Sequence, residues 1–336
     1  MHWKNPYIVI VCITLIVSAL LWGAERAVND YILTIMQFVG INIILATSLN
    51  LTNGFTGLFS VGHPAFMAIG GYTTALLTFP AIKAPLFLPE LPSWLLGIEM
   101  SFLPALVIGG LVAAATAFII GVPILRLKGH YLAVGTIAFL VIVNVLLTNM
   151  SSITRGPLGL NGLSPFTNIW WIFLWVVVVC YVSWRIKFSS YGRAMISMRE
   201  NEMAAECCGI NLAHMRIMAL AIGAFFAGVG GGLWAHLITA LTPNTFSLIM
   251  AFNLVVMVVV GGSGSITGSV VGAIIFTTTI EIFRPIEEGF ELYGVAEVLL
   301  ALLLIVILIF RPKGLFGTKE PFSIPQTPKI RNIEVS

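Results

Sequence analysis

Residues 189–216 read SSYGRAMISMRENEMAAECCGINLAHMR, a polar stretch in a chain that is otherwise nearly all apolar. Asn201 is placed to cap a helix, because its side-chain oxygen can accept from one of the first free N–H groups. Glu202 then falls in the first turn, where the helix dipole favours negative charge. Gly209 suits the left-handed residue that ends a helix, and Asn211 can cap the long apolar helix beyond it. The spacing predicts a rod of about 7 residues, roughly 10 Å long. Such a rod is marginal in free water and makes sense when it docks onto something. Ile196, Met203 and Cys207 share a thin apolar stripe with Ala204 beside it. Arg193, Arg199, Glu200, Glu202 and Glu206 rim that stripe. Charge alone reads as a solvated loop; the composition of the whole chain argues for the docked rod.

Charged residues make up 9% of the 336 residues and hydrophobic residues 58%, against about 25% charged in ordinary soluble domains. Mean hydropathy is +1.01. A soluble protein of this size could not bury that much apolar surface, so the expected class is an all-α polytopic membrane protein. Cys12, Cys180, Cys207 and Cys208 show no disulfide or metal spacing and read as structural thiols. The run from Pro6 to Trp22 resembles a signal peptide, but no clean small-residue cleavage site follows it, and an uncleaved first span is the expectation.

Apolar runs of about 17–25 residues mark candidate spans. Ten such runs occur, near 6–23, 32–51, 63–80, 102–125, 131–149, 168–184, 215–237, 246–261, 266–283 and 294–310. An even number puts both termini on one side. The segments on that side carry 13 of the 17 Lys and Arg residues: Lys4, Arg126, Lys128, Arg185, Lys187, Arg193, Arg199, Arg216, Arg311, Lys313, Lys319, Lys329 and Arg331. The opposite side carries Arg26, Lys83, Arg155 and Arg284. The positive-inside rule makes both termini and loop 185–216, between spans six and seven, cytoplasmic. Residues 1–316 form one transmembrane domain in this reading, and residues 317–336 a cytoplasmic tail.

Leu49 to Thr73, LNLTNGFTGLFSVGHPAFMAIGGYT, interrupts the second and third runs with Asn53-Gly54, Thr56-Gly57 and Gly62-His63-Pro64. Broken backbone at membrane depth survives only inside protein or beside a wet cavity. Asn50, Asn53, Thr56, Ser60 and His63 could re-satisfy the freed backbone groups and line a translocation pathway; a plain connector is the other reading. Asn144 and Asn253 join them as polar groups inside spans, as do Asn42 and Thr277 to Thr279. Such groups also simply glue helices together. Glu281 lies near the outer end of its run and is expected to snorkel to water. The outer loop 81–101, with Trp94 as an interfacial anchor, and the Gly/Pro-rich loop 155–165 are ordinary connectors or faces for an external partner. VVVGGSGSITGSVVGA lacks the Gly-Lys-Ser/Thr end of a phosphate-binding loop, so tight helix packing explains its glycines. No Asp/Glu/His chain resembles a proton relay, and no catalytic or metal-ligand constellation is visible.

Two stretches, NLTNGFTGLFSVGHPAFMAIGGYTTALL and RENEMAAECCGINLAHMRIMALAIGAFFAGVGGGLWA, resemble the permease subunits of branched-chain amino acid ABC importers. VVVGGSGSITGSVVGA and RPKGLFG are similar to the same family. The resemblance implies a cytoplasmic coupling helix of the pattern Glu-Ala-Ala, three residues, Gly. Ala204, Ala205 and Gly209 fit; Met203 stands where the Glu belongs, and Glu202 comes one position early. On this basis Arg199, Glu200, Asn201, Glu202, Met203, Ala204, Ala205, Glu206, Gly209, Ile210 and Asn211 are the candidate ATPase-coupling residues. The resemblance also implies a second related permease, two cytosolic ABC ATPases and an external substrate-binding protein, in the bacterial inner membrane among its lipids. No cofactor is expected on this chain, since ATP and Mg would sit on the ATPases, and no nucleic acid is expected. Leucine, isoleucine and valine are the implied cargo; urea, short amides or other amino acids are the alternative within the same architecture. A stand-alone secondary carrier, a lipid-active membrane enzyme and a scaffold are the rivals outside it.

Overall fold

The computed structural model describes residues 6–80, 82, 98–127, 129–290, 294–317 and 320. Most of the outer loop 81–101, with Trp94, and the tail beyond 320 lie outside the described residues. The helices are α1 (Pro6–Ala27), α2 (Asp30–Asn50), α3 (His63–Leu77), α4 (Phe102–Ile124), α5 (His130–Asn149), the single turn α6 (Ser151–Thr154), α7 (Ile169–Lys187), α8 (Ser190–Glu200), α9 (Glu202–Cys207), α10 (Leu212–Ile238), α11 (Leu248–Gly261), α12 (Ile266–Phe290) and α13 (Val295–Phe310). Each of the ten apolar runs falls on one of these helices. Among the described residues, seven helical stretches are long and apolar enough to cross a membrane: Asp30–Phe55, Phe102–Ile124, His130–Asn149, Ile169–Lys187, Leu212–Ile238, Pro243–Gly261 and Ile266–Pro285. The chain is therefore an all-α polytopic membrane protein. α3 and α13, with 15 and 16 residues, fall short of the roughly 17 residues a lone span needs.

The core forms where small residues let backbones approach. α10 is buried along most of its length and packs against α3, α4 and α2. Gly70 and Gly71 on α3 face Gly228 and Gly231 on α10, and Gly109 on α4 lies over the Gly70 carbonyl. A Cβ added at Gly231 would fall on the Met67 carbonyl oxygen, so the α3–α10 crossing tolerates no side chain there. In lipid the association gains little from the hydrophobic effect, which is why close van der Waals packing carries it. A second layer comprises α2, α11 and α12, with α7 beside α2.

Helix ends gather into two groups. At one end β1 (Leu160–Asn161) pairs antiparallel with β2 (Ala240–Leu241), and His236 contacts Thr78 Oγ1 at 2.8 Å and the Ser164 carbonyl at 2.7 Å. At the other end lie the α2–α3 break, the α11–α12 turn, α8, α9 and the residues after α13.

Between α2 and α3 the helix breaks, and most of the broken stretch packs against neighbouring helices. α2 runs into a π turn (Leu51–Phe55), and residues 57–62 follow without regular structure. Leu58 and Ser60 to Gly62 are buried, while Gly57 and Phe59 are exposed, and the Val61 N–H donates to Thr136 Oγ1 at 3.1 Å. Burial in protein is one of the two settings in which broken backbone survives at membrane depth.

Candidate coupling site and groove

α9 has six residues and is fixed at both ends. Asn201 Oδ1 accepts from the Ala204 N–H at 3.1 Å. At the other end the Ile210 N–H donates to Ala205 O at 3.1 Å and the Gly209 N–H to Glu206 O at 2.9 Å. This is the double bond pattern of a Schellman cap, with Gly209 at φ +80. Asn211 Oδ1 then accepts from the His214 N–H at 3.0 Å and starts α10. Ile210 packs on Ala205, Met198 and Leu212 beneath the cap.

The face of α9 differs from the expected stripe. Ala205 is buried, whereas Met203 is 76% exposed, with Cys207 and Cys208 also exposed. The reason is local: Asn201 is extended (φ −157, ψ 111), so α8 and α9 are two helices with different phases. Ile196 therefore does not continue onto Met203 and Cys207. Glu202, Ala204, Glu206 and Gly209 are exposed. Glu202 pairs with Arg216 of α10, an ion pair within the chain. Arg199 pairs with Glu200 at 2.7 Å and donates to the Gly54 carbonyl at 2.7 Å. The guanidinium hydrogen bond holds the Glu200 carboxyl below the usual carboxylate range. Glu202 and Arg216 also line an open cavity of about 420 Å³ with Gly57, Phe59, Leu127 and His130.

The polar residues of the α2–α3 break make hydrogen bonds within the protein. Asn50 donates to Ser265 O at 2.9 Å and accepts from the Gly264 N–H at 2.8 Å. Asn53 exchanges two hydrogen bonds with the backbone of Ser60. Thr56 donates to Thr52 O at 2.6 Å, and His63 contacts Ser48 Oγ at 2.8 Å. Asn144 donates to Phe246 O at 2.7 Å near the opposite end.

Asn253 stands elsewhere, on a groove of about 460 Å³ between α2, α10, α11 and α12. Asn42, Thr277, Glu281 and Arg284 line the same groove. Glu281 does not snorkel: its side chain is 8% exposed. α12 continues to Phe290, past the point where the apolar run ends, so Glu281 lies within the helix and turns inward.

Sequence reasoning missed Glu320. Its carboxylate accepts from Ile266 N–H at 2.6 Å and Thr267 Oγ1 at 2.9 Å, and pairs with Lys187 at 2.7 Å. It sits at the N-terminus of α12, where dipole and free N–H groups favour an anion. Lys187 also donates to Gly264 O at 2.5 Å. No hydropathy signal points to it, because it lies in a polar tail.

The described helices form a polytopic membrane domain that carries one short helix, capped at both ends and exposed on one face. The family model for the permease component of branched-chain amino acid transport systems matches residues 31–310, and the chain belongs to that family. It is 30% identical to the high-affinity branched-chain amino acid transport system permease protein LivM of Escherichia coli K12, over 92% of this chain and 75% of that protein. It is 23% identical to the permease protein LivH of the same strain, over 82% and 91%. It is 26% identical to the guanosine ABC transporter permease protein NupQ of Bacillus subtilis, over 57% and 63%. No solved structure matches.

Proposed function

We propose that this chain is one of two permease subunits of an ATP-driven importer that carries leucine, isoleucine and valine across a bacterial inner membrane. All ten apolar helices cross, the short α3 and α13 doing so packed against neighbouring helices; both termini face the cytoplasm, and the group of helix ends around α8 and α9 is the cytoplasmic one. The 13-to-4 division of basic residues supports that orientation. The second permease is a relative of LivH. Two cytosolic ATPases, with their ATP and Mg, receive α9, and an external binding protein delivers cargo.

One observation carries the reading: α9 is locked at both ends yet presents Met203, Glu206 and Cys207 outward. A rod with fixed ends transmits a push, and an exposed methionine between acidic residues is a knob for a partner's apolar cleft. Closure of the ATPases then moves α9, and with it α8 and α10, which flank it. Branched-chain cargo follows from the family and from LivM; the guanosine name of NupQ keeps nucleosides as the competing cargo.

The test is reconstitution of the chain with its second permease, ATPases and binding protein in vesicles. Leucine should stimulate ATP hydrolysis and guanosine should not. Met203→Asp should abolish ATPase capture while leaving the chain inserted and folded. ATPase capture at the native level by Met203→Asp would remove α9 from the coupling role.

A further inference from the structure

The groove between α2, α10, α11 and α12 contains a charge the fold does not use. Glu281 is over nine-tenths buried, and its Oε1 meets Arg284 at 3.0 Å. Its Oε2 is buried and has no hydrogen-bond partner among the described residues. The same holds for Trp234 Nε1 on the opposite wall. Asn42 and Thr277, by contrast, satisfy each other at 2.8 Å. Arg284 is half exposed, at 48%. The remaining wall is apolar, from Phe38, Met250, Leu254 and Phe276. A volume of about 460 Å³ falls in the range of roughly 300–1,000 Å³ typical of small-ligand sites.

An ionisable side chain inside a membrane domain is costly to place there and marks a functional site by default. A purely structural i,i+3 pair would leave neither an unmet carboxylate oxygen nor an unmet indole donor facing one cavity. We propose that this groove is a way-station for the charged end of an α-amino acid, with Glu281 taking the ammonium and Arg284, aided by Trp234 Nε1, taking the carboxylate. The proposal rests on the import reading above. In the empty groove Arg284 neutralises Glu281. An arriving zwitterion replaces that pair with two: its ammonium meets Glu281, and the released guanidinium turns to its carboxylate. The exchange keeps the site neutral overall, which matters in low dielectric. The apolar wall then takes a branched aliphatic side chain.

The experiment uses the full complex in vesicles, with Thr245→Cys placing a thiol on the groove rim. Labelling at position 245 by an impermeant maleimide is read by peptide mass spectrometry, without ATP. Excess leucine should slow labelling; isocaproate and isoamylamine, each bearing one of the two charges, should not. Glu281→Gln and Arg284→Gln should each leave the rate in buffer unchanged and weaken protection by about tenfold to a hundredfold in leucine concentration, the worth of one charge-assisted hydrogen bond. Equal labelling with and without leucine overturns the proposal, as does protection that survives Glu281→Gln. A thiol reachable in the isolated chain but closed in the complex overturns it too, and makes the groove a subunit interface. Failure of the import reading would show separately, as absence of ATP-driven leucine uptake by the native complex.

Discussion

The cap at Gly209 offers the cleanest perturbation, because its cost is conformational and nothing else. A Cβ built there meets nothing within 4 Å, so an added methyl group clashes with nothing. The residue nevertheless sits at φ +80, where an L side chain costs roughly 1–2 kcal/mol and a β-branched one more. Asparagine tolerates that region best after glycine. The expected order of coupling is therefore Gly, then Gly209→Asn, then Gly209→Ala, with Gly209→Val last. The magnitude follows from the two cap bonds, Ile210 to Ala205 and Gly209 to Glu206. A loss of about 1–2 kcal/mol lowers the ratio of capped to frayed helix by a factor of roughly 5–30. In a helix of six residues no interior turn can compensate, so fraying dissolves the whole rod. The assay is leucine-stimulated ATP hydrolysis by the reconstituted complex, alongside hydrogen exchange at the Ile210 amide. Faster exchange and weaker stimulation should track each other through the series. If Gly209→Val exchanged Ile210 rapidly yet kept full stimulation, a rigid α9 would not be what the ATPases grip.

Glu320→Gln removes the carboxylate from a pair whose side chains are 8% and 5% exposed; breaking a buried pair from one side costs about 3–5 kcal/mol. The detergent-solubilised chain should melt earlier, and an unchanged midpoint would mean that the tail does not hold α7 to α12. Gly231→Ala places a methyl group against the Met67 carbonyl, an overpacking worth about 1–3 kcal/mol or more. It should lower the melting midpoint with the coupling loop untouched, and a stable Gly231→Ala would refute the backbone-to-backbone crossing of α3 and α10.

What could be read from the sequence was local. The caps at Asn201, Gly209 and Asn211 depend on residues within five positions of one another, and all three form. The ten apolar runs depend on composition over one helix length, and each falls on a helix. The inward face of α9 was misread because the stripe from Ile196 to Cys207 was drawn across Asn201, although an N-cap residue is extended and so resets the helical phase. Glu281 was misplaced for a related reason. Hydropathy ends a span where polarity begins, whereas hydrogen bonding carried α12 on to Phe290. The partners of Asn50 lie 214 and 215 positions away. Its polarity showed that something must meet it, and only the tertiary structure says what.

These long-range bonds bear on how a push at α9 could reach the groove. Arg199, at the end of α8, holds the Gly54 carbonyl in the π turn that finishes α2. Asn50, one turn earlier, holds Gly264 and Ser265 at the start of α12. Glu320 and Lys187 bind the same start of α12 to the end of α7. α2 and α12 are thus tied together at the end that carries α9, and both run from that knot to the groove, where they contribute Asn42 and Glu281. α10 is held differently: its glycines fix it to α3 and α4. In the import reading, a displacement of α8 and α9 therefore pulls α2 and α12 as a pair, while α10 tilts with α3 and α4 as a separate body. That motion changes the spacing between Glu281 on one wall and Trp234 on the other, which is the spacing a bound amino acid would feel. The π turn is the natural place for the movement to be absorbed, since it is a helix segment already out of register with its neighbours.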